Sequence, residues 1–133
     1  MTTLLAHMRV RPGREEDWEA LMRFMTLETF RKEGGVIRYE FWKGEAERTY
    51  YGLLAFKDKQ AYYEHQVSET FRQADFSLLL EELRVEYVGP VEGAGGGLPP
   101  TRDPPLPEDA DESLREVQEL YPIRIPDWWE GRL

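Results

Sequence analysis

The 133-residue chain has no cysteine, no asparagine and only two histidines. Without Cys there is no disulfide framework, no thiol nucleophile, no iron–sulfur ligation and no zinc knuckle. Two His are too few for a His-rich site, and no metal is expected. Basic residues are outnumbered, 17 Lys and Arg against 26 Asp and Glu, for a formal charge of −9. That charge repels phosphate backbones, so nucleic acid is not an expected partner. Long apolar runs are missing too. The best candidates, residues 50–56 and 76–80, fall far short of the roughly 20 residues of a membrane helix. Residues 1–11 lack the basic, apolar and small-residue succession of a secretion signal, so a cytoplasmic protein is expected. The length suits one domain with its own core.

Composition shifts after Glu92. Residues 93–108 hold four of the 11 Gly and five of the nine Pro, a density that neither strand nor helix survives. The Gly93–Gly97 run lacks a Gly-Lys-Ser/Thr ending and leads into prolines, so it reads as a spacer and not a phosphate loop. The expected organisation is a domain over 1–92, a linker over 93–108, and a tail over 109–133. The domain carries −4 (13 basic, 17 acidic) and the remainder −5 (four basic, nine acidic).

Within the domain the hydrophobic period changes repeatedly. Leu4, Ala6, Met8 and Val10 alternate with Leu5, His7, Arg9 and Arg11, which reads as a strand ended by Pro12-Gly13. Residues 15–32 read as a helix with acids in the first turn, a stripe of Trp18, Leu21, Met22 and Met25, and a stop at Gly34-Gly35. Residues 36–43 and 49–56 alternate around Gly44 as a hairpin. Asp58 is the expected N-cap of a helix through Gln66. Ser68 is expected to cap a second helical piece reaching about Leu83, with a last strand over 84–91.

The order β-α-β-β-α-α-β gives an antiparallel ferredoxin-like α+β sheet with helices on one face. Ile37, Tyr39, Phe41, Tyr51, Leu53 and Ala55 belong to alternating sets that cannot all face those helices. The open face therefore calls for a cover, most simply an identical subunit, and a homodimer is expected.

Val10–Glu16, Glu33–Glu40, and Lys57-Asp58 with Ala61, His65, Ser68 and Phe71 are three stretches that together resemble antibiotic biosynthesis monooxygenase domains. Val10-Arg11-Pro12-Gly13-Arg14-Glu15-Glu16 is similar to their strand-to-helix passage. Glu33-Gly34-Gly35-Val36-Ile37-Arg38-Tyr39-Glu40 resembles the approach to their second strand. Lys57-Asp58 followed by Ala61, His65, Ser68 and Phe71 resembles the family's His-bearing helix. The likeness spans residues 3 to about 88, with Phe56 where many members carry Trp. It implies a dimeric α+β barrel with a pocket between sheet and helices. It also implies a family of cofactor-free oxygenases of quinols and phenols, isomerases, haem-degrading enzymes and proteins without assigned role. The haem-degrading branch uses an Asn on the first strand and a Trp and a His on the helical segment. This chain has no Asn, and His65 and Asp75 stand at about those Trp and His positions, which disfavours haem.

His65 is the candidate general base, and no cofactor is expected. Proton transfer from a phenol near pKa 10 to a His near 6.5 is uphill by about 5 kcal/mol. A turnover of about 10 per second allows a barrier of roughly 16 kcal/mol, so the step fits. An ordinary Asp would start about 8 kcal/mol uphill. The alternative is that His65 is a hydrogen-bonded anchor for the following helix. His65 and Glu69 also have metal-ligand spacing, but two ligands make no site. Tyr39, Trp42, Tyr51, Tyr62 and Phe71 are the candidate walls for a small aromatic substrate, with molecular oxygen as co-substrate; aromatics at such spacing also build cores. His7, Arg9 and Arg11 would grip an anion or pair with a partner's acids.

The tail has Leu114, Val117, Leu120 and Tyr121 on one helical stripe. Ile123, Ile125, Trp128 and Trp129 follow as apolar anchors. Leu27 and Phe30 lie off the main stripe of the first helix and need a partner. The tail is expected to dock on the helical layer of its own or the partner subunit, or to lid the pocket. The sequence reading is thus a cofactor-independent monooxygenase-like enzyme for a phenol or quinol. Its rival is a non-catalytic dimeric small-molecule-binding or protein-interaction domain.

Overall fold

The computed structural model describes residues 1–91, 93–94, 99 and 101–124. Strand β1 (Thr2–Val10) leads through the Pro12-Gly13 turn into helix α1 (Glu15–Lys32). Glu15, Glu16 and Asp17 in the first turn and Arg31 and Lys32 in the last oppose the partial charges at the helix ends. A hairpin follows, β2 (Val36–Lys43) and β3 (Thr49–Phe56). Helix α2 (Lys59–Val67) starts where the Asp58 carboxylate accepts the Ala61 N–H at 2.8 Å. Ser68 ends α2 and caps the short α3 (Glu69–Gln73).

Strand β4 (Leu80–Tyr87) completes an antiparallel sheet of order β2-β3-β1-β4. With helices packed on it, this is a ferredoxin-like α+β fold. Register sets the faces. Leu4, Ala6 and Met8 pair with Leu54, Gly52 and Tyr50, while Tyr39 and Phe41 pair with Leu54 and Gly52. This face carries the core beneath α1 and α2. Leu5 and His7 pair with Leu53 and Tyr51 on the other face. That face is edged by charge pairs, His7–Glu86 at 3.2 Å and Arg38–Glu40 at 3.7 Å. Of the six residues that could not share a face, Tyr39 and Phe41 turn to the helices, Tyr51, Leu53 and Ala55 turn away, and Ile37 falls at the register shift between Val36 and Arg38.

One boundary differs from the sequence reading. The second helical piece ends at Gln73, a 3-10 turn covers Phe76–Leu78, and the last strand starts at Leu80 instead of Arg84. The Asp75 carboxylate takes the Ser77 N–H at 3.2 Å and its hydroxyl at 2.6 Å, so the chain turns there instead of continuing the helix.

Beyond β4 the chain returns over the end of the sheet. The fully buried Thr101 hydroxyl accepts the Thr3 N–H at 3.2 Å and donates to the Val88 carbonyl at 3.1 Å. Asp103 pairs with the buried Lys59. Helix α4 (Glu112–Leu120) packs against α2, burying Leu114 and Val117 with Ala61, Tyr62 and Tyr63. Leu27 and Phe30 remain 66% and 51% exposed. Ile125, Trp128 and Trp129 lie outside the described residues. No helix among the described residues is long and apolar enough to cross a membrane.

Candidate functional site

His65 sits on the inward face of α2, with only 2% of its surface exposed. Its Nδ1 lies 3.0 and 3.1 Å from the two carboxylate oxygens of Glu33, the residue that closes α1. An ionised carboxylate only accepts, so in this contact Nδ1 carries the hydrogen, and in the neutral ring the basic lone pair is on Nε2. Three rings enclose the imidazole: Tyr39 at 5.2 Å, edge-on, with Phe56 and Phe71 each at 5.4 Å. Ser68 Oγ donates to the His65 carbonyl at 2.6 Å, fixing the turn from α2 to α3. The sequence reading singled out His65 but gave Glu33 no role. The two are 32 positions apart, and only the fold, which sets the C-terminal cap of α1 beside α2, brings them together.

A cavity of about 620 Å³ lies between α1 and the β2–β3 hairpin, well inside the roughly 300–1,000 Å³ of ligand sites. Its apolar wall is built by Trp18, Met22, Phe30, Tyr39 and Phe41. Its polar side centres on Glu19, which accepts the Tyr50 hydroxyl at 2.6 Å and Lys43 Nζ at 3.3 Å, with Arg23 at 3.5 Å. The Tyr50 and Lys43 hydrogen bonds hold the Glu19 carboxyl below the usual range. Burial, and the Glu19 contact after it, push the Tyr50 hydroxyl above its ordinary value; burial does the same to Tyr39. Glu19 therefore acts as an ionised acceptor, and neither tyrosine is an acid near neutral pH.

His65 is not part of the cavity wall. Tyr39 belongs to both, lining the cavity and resting its ring on the imidazole. Trp42 borders the cavity from strand β2, although its pairing with Tyr51 puts it on the sheet's other face, and Phe71 bridges His65 and Phe76. Tyr51 lies on the opposite sheet face against His7, at 5.7 Å. Tyr62 packs on Phe56 and Tyr87 in the cluster that α4 covers. The structure thus brings Tyr39 and Phe71 to His65 and keeps Tyr51 and Tyr62 apart from the cavity. Glu69 follows the break at Ser68, and among the described residues no group of three His, Asp or Glu is placed to hold a metal ion. His7 pairs with Glu86, Arg9 with Glu81, and Arg11 with the Ser77 carbonyl, so these three side chains already have partners within the chain.

A family model described as antibiotic biosynthesis monooxygenase matches residues 1–75, more than half of the chain. Solved structures share the fold. A Shewanella oneidensis protein is 25% identical, with TM-score 0.60, over 65% of this chain and 87% of its own. A Bacteroides thetaiotaomicron protein, provisionally described as an antibiotic biosynthesis monooxygenase, is 19% identical with TM-score 0.64, over 71% and 91%. A further antibiotic biosynthesis monooxygenase is 17% identical with TM-score 0.61, over 68% and 99%. No curated protein sequence matches the chain.

Proposed function

The chain belongs to the antibiotic biosynthesis monooxygenase family, and from that membership we propose a cofactor-independent monooxygenase-like enzyme that oxidises a small phenol or quinol in the α1–β2 cavity. The observation that supports this reading is the aromatic-walled cavity of about 620 Å³ that shares Tyr39 with the His65–Glu33 pair. His65 takes the phenolic proton on Nε2 while Glu33 steadies Nδ1, and Tyr39 must swing aside to let the two meet. The phenolate is electron-rich enough to reduce molecular oxygen. One oxygen atom enters the ring, and the other leaves as water with two hydrogens from the substrate.

A second reading has its own support. An imidazole 2% exposed, boxed by three rings and bonded to Glu33, also suits an anchor that locks α2 onto the end of α1. The fold would then serve binding alone. Oxygen uptake with a panel of quinols, comparing wild type with His65→Gln, separates the two. A large rate loss with an unchanged melting temperature supports the base. An unchanged rate with a lowered melting temperature supports the anchor, and no uptake by wild type favours the binding domain.

The same proposal includes a homodimer formed through the open sheet face. There Leu5, Tyr51, Leu53 and Trp42 lie between charged edges, with Trp42 61% and Tyr51 38% exposed. Sedimentation should give twice the chain mass for wild type and the single mass for Leu53→Glu. A wild-type monomer at micromolar concentration would remove the dimer from the proposal.

A further inference from the structure

Strand β4 carries an apolar stripe on the helix side of the sheet, covered at both ends and bare in the middle. Leu83, Val85 and Tyr87 pair with Met8, Ala6 and Leu4, three buried residues that face the helices. Glu82, Arg84 and Glu86 pair with Arg9, His7 and Leu5 on the other face. At the start of the strand Leu80 is buried with Trp18, Met22 and Met25 of α1. At its end Tyr87 packs in the cluster that α2 and α4 share. Between them Leu83 and Val85 are 54% and 48% exposed, although the alternation of the strand gives them to the core side.

The C-terminal part of the chain arrives beside this gap. The Tyr121 carbonyl accepts the Tyr87 hydroxyl at 3.1 Å, and Ile123 packs against the cluster that holds Tyr87. Burial raises the Tyr87 hydroxyl above its ordinary value, and the nearby charge of Arg124, the last described residue, works against that rise. The chain is therefore still at the end of β4 when residues 125–133 begin. That segment reads Ile-Pro-Asp-Trp-Trp-Glu-Gly-Arg-Leu and holds two of the four tryptophans. The step from Tyr87 back to Leu83 is roughly 13 Å of strand, and an extended chain from Arg124 to Trp128 spans about the same.

We propose that residues 125–129 continue along the helix side of β4 in their own chain, with Ile125 on Val85 and the Trp128-Trp129 pair on Leu83. This is independent of what the cavity binds. A second bare patch, Phe24, Leu27 and Phe30, lies on α1. The stripe on β4 is the better berth because the chain already touches Tyr87, its next member, whereas among the described residues no α1 side chain belongs to the cluster that holds Ile123.

The absence of Cys makes cross-linking in the full-length chain a clean test. Val85→Cys with Ile125→Cys should close a bridge within one chain under mild oxidation, about tenfold faster than Leu27→Cys with Ile125→Cys. Leu27 and Val85 are both exposed, so neither change disturbs the core. Thermal melting supplies the second readout. Leu83→Ser and the double change Trp128→Ala with Trp129→Ala should each lower the melting temperature by about 4 °C. Combined, they should lose clearly less than the sum, because both remove the same contact, while Leu27→Ser should add in full to the tryptophan change. Equal bridging rates at Val85 and Leu27, or full additivity of the Leu83 and tryptophan changes, overturn the docking on β4. A bridge that joins two chains overturns the assignment to the same chain and makes a second copy the donor of the segment.

Discussion

Glu33 and His65 hold each other in a place where neither would be comfortable alone. Removing the imidazole leaves a carboxylate, 17% exposed, facing Tyr39, Phe56 and Phe71 across a new void. His65→Ala should therefore cost about 2–4 kcal/mol, combining cavity and lost hydrogen bond. Glu33→Gln keeps the shape and an amide oxygen to accept Nδ1–H, and should cost only about 1 kcal/mol. Urea denaturation of both variants checks this; equal losses would mean that the charge, and not the packing around it, holds the pair. His65 was legible in the sequence because a lone His at helical spacing from Ala61 and Tyr62 stands out. Glu33 was not, since one acid at a helix end looks like any of the other 25 acidic residues until the fold sets it against the ring. The same holds for Glu19, whose role follows from the β3 tyrosine that reaches it.

At the scale of elements, bounds were legible where local chemistry and long-range pairing agree. Pro12-Gly13, the acidic first turn and Gly34-Gly35 bracket α1, and no other reading competes. Leu78-Leu79-Leu80 and Leu83, in contrast, satisfy helix spacing, while Leu83, Val85 and Tyr87 satisfy strand spacing. Only pairing of β4 with β1 decides, with Val10 opposite Leu80 and Met8 opposite Leu83. The joint between α1 and β2 is tighter than its two glycines suggest. A Cβ on Gly35 would fall 2.5 Å from the Ala61 Cβ of α2, whereas one on Gly34 would meet nothing. Gly35→Ala must push α2 away and should cost about 1–3 kcal/mol, the scale of overpacking. Gly34→Ala should stay within about 0.5 kcal/mol of wild type; chemical denaturation of the two variants reads the difference. The last turn of α1 adds a pH dependence. Hydrogen bonds from Arg31, then Lys32, hold the Glu28 carboxyl down to about 2. A depressed carboxylate stabilises the fold above its unfolded value and loses that contribution as pH falls through the folded one. The urea midpoints of wild type and Glu28→Gln should therefore differ near neutral pH and converge as pH drops from about 5 towards 2. A constant offset would show that the pair contributes nothing through its charge.

The molecule as a whole is held by the return of its C-terminal part. Without that part the outer face of α2 would present Tyr62, Tyr63 and the buried Lys59 to water. With it, Leu114 and Val117 cover the tyrosines, Asp103 meets Lys59, and the Tyr63 and Tyr87 hydroxyls both donate to the Tyr121 carbonyl, at 2.9 and 3.1 Å. The amphipathic stripe of the tail announced that it must dock, but not where. Leu27 and Phe30 on α1 looked equally in need of cover, and the choice falls to α2 because Thr101 first pins the chain between Thr3 and Val88 at the sheet end. Burying two aliphatic side chains of this size is worth about 3–6 kcal/mol, which for a domain of this length corresponds to a melting-temperature change of about 10 °C or more. Deleting residues 98–133 should lower the melting temperature by at least that much. Leu114→Asp, which leaves the chain length intact, should reproduce most of the loss, because it breaks the docking at its most buried point. If the deletion melts with wild type, the contacts on α2 do not support the fold. If the deletion is destabilised but Leu114→Asp is not, the stabilisation comes instead from the Thr101 and Asp103 contacts near the sheet end.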